Sequence, residues 1–367
     1  MMLTIQTLFN DPNIVNAVIQ RVLQTRKDTI YWQQYLDFRR TTTRVFKDYI
    51  GQVTGVMAGS INSRYGEKPI RERKNIGSGY GEIAYLGDRY QISIDRLSEL
   101  QDLIDKYNAA KPEDQKAAMR DIVDFIYDDY RQVLLAPHKR MDIIVGSLLM
   151  TGAASVRNKD DNAGGIDLLN IDLPFKFIKP DTEAKDHFVT YLQRKLNELA
   201  PIYGVFPKMI MSRGTFIKNV IGSSEFGDKF KMQLTGNEMY MSTGLITSQL
   251  ASAIFTGIGL PAIEIKEDYV KDQTGKNVPI YADDRITLLP QDKVGHMRWH
   301  TPYEATDPTP GRNYSGADGK DPGQNGGMLI CGYKDGNGRY LEYTAEWVPQ
   351  ITNPNLIVNF DLSEMNA

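Results

Sequence analysis

Apolar residues recur at helical spacing through the first half of the chain. The longest stripe predicts one very long amphipathic helix; it comprises Met119, Ile122, Val123, Ile126, Tyr130, Val133, Leu134, Met141, Ile144, Val145, Leu148 and Leu149. Pro112 opens this helix together with acidic residues, which suit a helix N-terminus. Pro137 lies inside it, and because the stripe continues on both sides we expect a bend there and not an end.

A shorter amphipathic segment precedes this helix near the N-terminus. Asn10-Asp11-Pro12 predicts a helix start, and Ile14, Val15, Val18, Ile19, Val22 and Leu23 follow on one side. The aromatic stretch from Tyr31 to Phe38 then meets the β-branched run Thr41 to Val45, which favours a strand. We expect the helix to be part of an arm that docks on this aromatic stretch.

Between these segments the pattern predicts a polar β-hairpin. Residues 67–74 and 82–93 favour extended strands, and the glycine-rich stretch 75–81 favours the turn that joins them. Such a hairpin has too little apolar surface to fold back on its own core, so we expect it to lie on a neighbouring copy of the chain. The expected inter-subunit contacts are Arg71, Glu72, Arg73, Lys74, Gly77, Gly79, Tyr80 and Arg89.

Helices and strands alternate in the second half, which predicts an α/β or α+β lobe. We expect a helix from Asp181 or Thr182, a buried strand at 208–211, a turn at Ser212-Arg213-Gly214 and a helix over 242–255. Residues 262–269 and 278–289 predict a hairpin turned at 272–275. Residues 301–327 predict a polar surface excursion, before strands at 328–333, 340–348 and 356–362 with a turn at 335–338.

Composition narrows the class of protein. At 367 residues the chain is long enough for two lobes. No apolar run is long enough to span a bilayer, and Met1-Met2-Leu3-Thr4 lacks the basic stretch of a signal peptide, so we expect a soluble protein made in a cytoplasm. A formal net charge of −3 gives no reason to expect tight nucleic-acid binding. The single Cys331 excludes an internal disulfide and a thiolate metal cluster.

No motif predicts catalysis or a cofactor. The stretch 77–81 lacks the lysine of a phosphate-binding loop, and 160–172 lacks two ligands of a calcium loop. The four histidines form no metal-binding pair, so structural roles are expected for them. Ser212 lacks the leading glycine of a nucleophile elbow and predicts a helix cap instead. We therefore expect a protein that is not an enzyme and binds no cofactor or metal.

The order of these segments resembles the lambda-type major capsid proteins of tailed bacteriophages, the phage capsid protein E family, which share the Hong Kong 97 coat fold. Residues 44–61 resemble the approach to that family's extended loop, and 112–151 its spine helix. The strand and turn at 205–216 and the segment 261–289 resemble parts of its axial lobe. Residues 347–358, with Asn353-Pro354, resemble its closing segment. Residues 222–236 and 301–327 depart from the pattern as insertions.

The resemblance implies an α+β fold with five parts. They are an N-terminal arm at 1–50, an extended β-hairpin loop at 51–93, a spine helix with peripheral domain at 94–180, an axial domain at 181–295, and a return to the peripheral domain at 296–367 that carries the polar insertion 301–327. Because lobe-forming residues come early, we expect no long cleaved scaffolding domain at the N-terminus.

The resemblance also implies a function. We expect a coat protein that assembles with itself into hexamers and pentamers of an icosahedral head, in the bacterial host cytoplasm, and resides in the virion. Expected partners are portal, scaffold and decoration proteins and double-stranded DNA bound weakly and non-specifically; no membrane is expected. Two alternatives remain open: a cellular nanocompartment (encapsulin-like) shell protein, and a soluble α/β enzyme with an anion site near Ser212 and Gly214.

Overall fold

The computed structural model describes residues 2–25, 30–50, 77–156, 169–173, 175–180, 184–223, 225, 248–271, 275–312, 314–316, 326–336 and 338–365. Seven helices occur in these residues: α1 (Ile5–Asn10), α2 (Pro12–Thr25), α3 (Ile94–Ala109), α4 (Gln115–Thr151), α5 (Phe188–Tyr203), α6 (Arg213–Thr215), which continues as a π-helical turn (Phe216–Ile221), and α7 (Ser248–Gly257).

Seventeen strands accompany the helices in the described residues. They are β1 (Leu36–Arg40), β2 (Val45–Ile50), β3 (Gly77–Glu82), β4 (Ala84–Ile92), β5 (Ala153–Val156), β6 (Leu169–Asp172), β7 (Lys176–Ile178), β8 (Lys208–Ser212), β9 (Ala262–Lys266), β10 (Tyr269–Lys271), β11 (Asn277–Pro279), β12 (Arg285–Leu289), β13 (Gly295–His300), β14 (Tyr314–Gly316), β15 (Leu329–Asp335), β16 (Gly338–Ile351) and β17 (Val358–Asp361). The mixture confirms the expected α+β class.

The chain divides into two compact units, each built from three segments. Unit 1 comprises 1–46, 81–142 and 296–350, and unit 2 comprises 47–80, 143–295 and 351–367. The boundaries cut across four of the five predicted parts, because each unit is assembled from segments distant in sequence. The assignment of the units to peripheral and axial domains stays a prediction.

Unit 1 is organised around a six-stranded sheet. The strand order is β1-β13-β16-β15-β14, and β4 also pairs with β16. The predicted turn at 335–338 is confirmed, because Asp335 pairs with Gly338 in the β15–β16 hairpin. Gly336 has φ +49°, a conformation that glycine adopts without steric cost.

The N-terminal helices are part of the unit 1 core. The predicted helix after Asp11 is confirmed as α2, which contacts β14, while α1 contacts α3 and β15. Phe9 of α1 stacks on Tyr130 of α4 at 6.3 Å between ring centroids. The apolar side of α2 is buried at Val15, Val18, Ile19 and Val22. Burial of this side gives the arm a fixed place on its own unit.

Unit 1 also contains an aromatic cluster. The rings of Trp32, Phe38, His138 and Trp347 contact one another with centroids 4.8 to 6.4 Å apart. Trp32 Nε1 donates to His138 Nδ1 at 3.2 Å, so His138 has a structural role, as expected. Gly326, at φ +57°, passes so close that an added Cβ would lie 2.3 Å from the Phe38 ring. Glycine is therefore required there.

The long helix is confirmed as α4, which has 37 residues and runs through Pro137 without a break. It starts at Gln115, after a turn at 111–114, and not at Pro112. Ten of the twelve residues of the predicted stripe are buried, including Ile122, Ile126 and Val133, whereas Met119 and Val123 are half-buried. One proline removes a single backbone hydrogen bond, and burial of the surrounding stripe outweighs that loss.

Unit 2 contains a five-stranded sheet in the order β7-β17-β12-β8-β9. Strands β7 and β17 are parallel, as are β8 and β9, and the pairs of β12 with β17 and β8 are antiparallel. Helices α5 and α7 contribute apolar side chains to the core on this sheet. The predicted strand at 208–211 and the Ser212 cap are confirmed: Ser212 Oγ accepts from the Thr215 N–H.

One expectation in this part was wrong in detail. The strands 262–269 and 278–289 do not form one hairpin, because β9 pairs with β8 and β12 lies between β17 and β8. Among the described residues of 262–289, only β10 and β11 pair with each other, and residues 272–274 of the predicted turn lie outside the described residues. The physical reason is the apolar content of β12, whose Ile286, Leu288 and Leu289 require burial and strands on both sides.

The hairpin prediction also needs correction. The predicted strand 67–74 lies outside the described residues. Gly77 to Glu82, most of which was expected to form the turn, is strand β3, and β3 pairs with β2. Glycine is compatible with an extended backbone, and pairing with β2 satisfies the β3 backbone groups. The expected second strand is confirmed as β4, but β4 pairs with β16 of unit 1.

Candidate assembly site at the loop base

The chain leaves the unit 1 sheet at Arg44 and returns to it at Ile83. Strand β2 follows Arg44, strand β3 precedes Ile83, and the Ile83 N–H donates to the Arg44 carbonyl at 3.0 Å. We call the residues around this closure, Arg44, Ile83, Arg89, Glu342 and Glu346, the loop base. The loop base fixes the entry and the exit of the segment 45–82 next to each other.

The pairing of β4 with β16 places charged residues directly opposite one another. Arg89 is opposite Glu342, and Tyr85 is opposite Glu346. Because side chains alternate along a strand, Glu342, Thr344 and Glu346 share one face of β16. All three are buried. A row of buried carboxylates on a central strand needs cationic partners from neighbouring segments.

Glu346 has partners from two segments. Arg44 donates to it in bidentate geometry, from Nε at 3.1 Å and from a terminal nitrogen at 2.5 Å. His300 Nδ1 of β13 lies 2.8 Å from Glu346 Oε2. The glutamate side chain is 2% exposed, whereas that of Arg44 is 50% exposed. The carboxylate is thus held inside the unit, and the arginine reaches in from the end of the loop.

Glu342 has four partners. Arg89 Nε donates at 3.1 Å, and Arg312 Nη1 lies 3.1 Å from both carboxylate oxygens. The hydroxyl groups of Tyr314 and Tyr333 each donate to the carboxylate at 3.1 Å. The Arg312 guanidinium also lies 3.8 Å from the centre of the Tyr333 ring, at cation–π distance.

The tyrosines remain proton donors at neutral pH. Burial and the Glu342 charge raise the pKa of Tyr333 to about 12. Burial, together with the Glu342 charge, also raises the pKa of Tyr314. Since a phenol next to a carboxylate resists ionisation, both hydroxyl groups keep the hydrogen that Glu342 accepts. At neutral pH both tyrosine hydroxyl groups can therefore donate to Glu342 together with Arg89 and Arg312.

The polar segment 301–327 contributes to this network, which sequence reasoning missed. Arg312 and Tyr314 belong to it, and Glu304 accepts from the Tyr85 hydroxyl at 2.6 Å. Tyr314 is in β14, which pairs with β15 at the edge of the unit 1 sheet. The described part of this segment is therefore partly integrated into the sheet and is not only a surface excursion.

The predicted contact residues are placed unequally. Arg71, Glu72, Arg73 and Lys74 lie outside the described residues. Gly77, Gly79 and Tyr80 are in β3, where the backbone alone is described. Arg89 is described, and it binds Glu342 of the same chain through its Nε. Whether these residues contact a neighbouring copy stays a prediction.

Sequence reasoning also missed Arg44, Glu342 and Glu346. A signal was present, because two glutamates four residues apart interrupt the apolar run 340–348 on the same strand face. In a strand predicted to be buried, such residues demand cationic partners. The identity of the partners could not be predicted, since Arg44 is 302 positions from Glu346.

The turn at Ser212 offers no open anion site. The Asp283 carboxylate already contacts Ser212 Oγ, and a Cβ on Gly214 would lie 2.6 Å from Asp283 Oδ1. Arg213 forms an ion pair with Glu267. A bound anion would face the Asp283 carboxylate, so this geometry counts against the enzyme alternative.

Metal binding and membrane spanning are two other properties that the described residues can show. No group of three or more His, Cys, Asp or Glu side chains in the described part of the chain is arranged to hold a metal ion. Among the helices that the structure describes, none combines the length and the apolar content needed to cross a bilayer.

Comparisons with known proteins agree with the fold. No protein-family model matches the chain, and a search of curated proteins found no match. Among solved structures, the chain is similar to a capsid protein assigned to a prophage of Escherichia coli CFT073: the TM-score is 0.55 at 11% identity, over 95% of this chain and 98% of that one. It is also similar to a phage-related protein from Bordetella bronchiseptica RB50, with a TM-score of 0.51 at 8% identity, over 96% and 98% of the two chains.

The similarity extends over nearly the whole length of both chains in each comparison, and so includes both units. At such low identity it establishes the fold alone. The chain has the α+β fold of the Hong Kong 97-like phage capsid proteins.

Proposed function

We propose that this chain is the major capsid protein of a tailed bacteriophage and assembles with itself into the hexamers and pentamers of an icosahedral head. The observation that carries the proposal is the shared fold over 95% of this chain and 98% of the prophage capsid protein.

In this proposal the segment 45–82 is the extended loop that reaches a neighbouring subunit, and unit 1 and unit 2 are the peripheral and axial domains. The loop base supports this assignment, since it holds the two ends of a long segment together on the sheet. Arg71, Glu72, Arg73 and Lys74 are proposed contacts with the neighbour. We assign the chain no catalytic role and place it in the virion, after assembly in the bacterial cytoplasm.

The proposal is tested by the size of the particles that the purified chain forms. We expect shells or capsomers by size-exclusion chromatography and negative-stain electron microscopy across a concentration series. The matched variant replaces residues 51–76 with a short Gly-Ser linker and keeps β2 and β3. It should fold, with an unchanged circular dichroism spectrum, and form no shells.

Two outcomes would contradict this proposal. A wild-type chain that stays a small defined oligomer at every concentration is not a shell protein. Normal shells from the linker variant would show that the loop does not join subunits.

Weak binding of double-stranded DNA is the second part of the proposal. The net charge of −3 supports it, because a shell that holds phosphate tightly at every subunit would hinder packaging. Fluorescence anisotropy with unrelated duplexes should give a Kd in the range of roughly 10⁻⁴ to 10⁻⁶ M near physiological salt. Nanomolar binding with a sequence preference would contradict a coat role. Portal, scaffold and decoration proteins are further proposed partners.

A further inference from the structure

We propose that Glu342 and Glu346 are positioning residues for shell assembly, because Glu346 holds the start of the segment 45–82 through Arg44 and Glu342 holds β4, the strand that follows this segment, through Arg89. This inference rests on the proposed function, since it gives the held segment a role in joining subunits. It assigns that role to four residues of unit 1, none of which needs to touch the neighbouring subunit.

The two arginines lie on opposite sides of the loop segment along the chain. Arg44 is the last residue before β2, and Arg89 is in the strand that follows β3. Their partners are four residues apart on β16, which corresponds to about 13 Å along a strand. The two side-chain attachments add to the backbone pairing of β4 with β16 and restrict rotation at the loop base.

The two glutamates and their arginine partners differ in burial. The side chains of Glu346 and Glu342 are 2% and 11% exposed, whereas those of Arg44 and Arg89 are 50% and 57% exposed. An ion pair between two exposed side chains is screened by water and is easily given up. A buried carboxylate left with fewer cations carries a desolvation penalty, so these pairs are held more firmly than surface pairs.

Each glutamate also has a partner other than Arg44 and Arg89. His300 contacts Glu346, and Arg312 contacts Glu342. These partners orient the carboxylates whether or not the loop ends are attached. The acceptors are therefore pre-organised, which lowers the entropic cost of attaching Arg44 and Arg89.

The test replaces both arginines with neutral side chains that retain polarity. The double variant Arg44→Gln, Arg89→Gln should form at least tenfold fewer shells at a fixed protein concentration. Hydrogen exchange of the β2 and β3 amides should accelerate at least tenfold in unassembled subunits, while exchange in α4 stays unchanged. The thermal unfolding midpoint should stay within a few degrees of wild type.

Two further variants separate positioning from a general loss of ion pairs. Arg21→Gln removes the exposed pair with Asp124, at side-chain exposures of 40% and 54%, elsewhere in unit 1. It should assemble as the wild type does. The double variant Arg44→Lys, Arg89→Lys keeps the charge and should recover most of the shells.

Each remaining outcome decides the question. Wild-type exchange rates in the glutamine variant would show that the pairs do not hold the loop ends, and faster exchange with a normal shell yield would show that holding them does not serve assembly. A fall in shell yield that matches a fall in the unfolding midpoint would assign the pairs to stability alone. All three overturn the proposal.

A wild-type chain that forms no shells has a different meaning, because it overturns the proposed function itself. The exchange measurement remains valid in that case. Accelerated exchange in β2 and β3 would still establish the anchoring of the loop ends, while its role in assembly would be refuted together with the proposed function.

Discussion

The central strand of the unit 2 sheet buries mainly apolar side chains, whereas the central strand of the unit 1 sheet also buries carboxylates. In unit 2, β12 buries Ile286, Leu288 and Leu289, and its one polar core residue, Thr287, lies 2.9 Å from the Leu149 carbonyl oxygen. In unit 1, β16 buries Glu342, which contacts Arg89 and Arg312, and Glu346, which contacts Arg44 and His300. Both strands lie between neighbours, so burial alone does not explain the difference.

The two kinds of buried side chain suit different structural roles. Apolar contacts contribute more free energy per buried side chain but have little directional preference. Charge-assisted hydrogen bonds contribute less net stability, because desolvation offsets them, but they act only in one geometry. The unit 2 sheet is thus suited to holding a core together, and the unit 1 sheet to fixing where a particular segment begins and ends.

The largest expected effect is in the apolar sheet. Phe360 of β17 is fully buried between β7 and β12, so Phe360→Ala should lower the free energy of unfolding by about 3–5 kcal/mol. Urea denaturation of unassembled subunits measures the change. Phe177→Ala, on neighbouring β7 with a 38% exposed side chain, is the matched control and should cost less than about 1 kcal/mol. Equal costs would show that the apolar core is misplaced.

A smaller loss of stability is expected when one buried glutamate of the unit 1 sheet is neutralised. Glu342→Gln leaves Arg89 and Arg312 without a counter-charge and should lower the free energy of unfolding by about 3 kcal/mol at most. Asp121→Asn, which removes the exposed pair with Lys106, is the control and should cost less than about 1 kcal/mol. If the two costs are equal, the Glu342 network behaves as a surface ion pair and the contrast between the sheets fails.

The third prediction concerns Asp142, a buried acid of unit 1 without an arginine. Burial raises its pKa from 3.8 to about 6, although the Trp32 N–H and Lys139 lower it. The native state therefore binds more protons than the unfolded state between about pH 4 and 6. The stabilising contribution is present below about pH 4 and is lost as the pH rises through about 6, by on the order of 2 kcal/mol.

Asp142→Asn removes this titration and keeps a side chain of similar shape. Relative to wild type, the variant should gain on the order of 2 kcal/mol between pH 4 and pH 7. Urea unfolding at constant ionic strength and several pH values measures the difference. Parallel profiles for the two proteins would refute the raised pKa of Asp142.

The smallest effect is expected for a polar residue at the edge of the apolar sheet. Ser212 ends β8 and caps the following helix by accepting from the Thr215 N–H at 3.1 Å. Ser212→Ala should lower the free energy of unfolding by about 1 kcal/mol, through loss of that cap. Ser212→Thr keeps the hydroxyl group and should restore most of the stability. A loss above about 3 kcal/mol would point to a larger role for the contact with Asp283.

Part of the architecture followed from periodicity alone. The buried face of α4, the start of α2 at Pro12, the Ser212 cap and the β15–β16 hairpin were predicted from local patterns. Helix periodicity and turn chemistry depend on residues a few positions apart, so a single sequence contains them completely. The overall fold was predicted from the resemblance of their order to a known capsid protein family.

Strand partners were decided only by the tertiary structure. The pattern at 262–289 is compatible with one hairpin, yet β9 pairs with β8 and β12 lies between β8 and β17. Likewise the glycines of β3 permit a turn, but the strand pairs with β2. A strand pattern predicts which face of the strand is buried. It does not predict which neighbouring strand pairs with its backbone N–H and C=O groups.

The loop base shows most clearly which features the sequence determines and which features only the tertiary structure decides. The sequence by itself determined that Glu342 and Glu346 share a strand face and that the strand is largely apolar, which requires cations nearby. Only the tertiary structure brought Arg44, Arg89, His300 and Arg312 to that face, from four segments distant in the chain. Charge pairing acts through space between any oppositely charged groups, so the partner is chosen by the topology that brings the segments together.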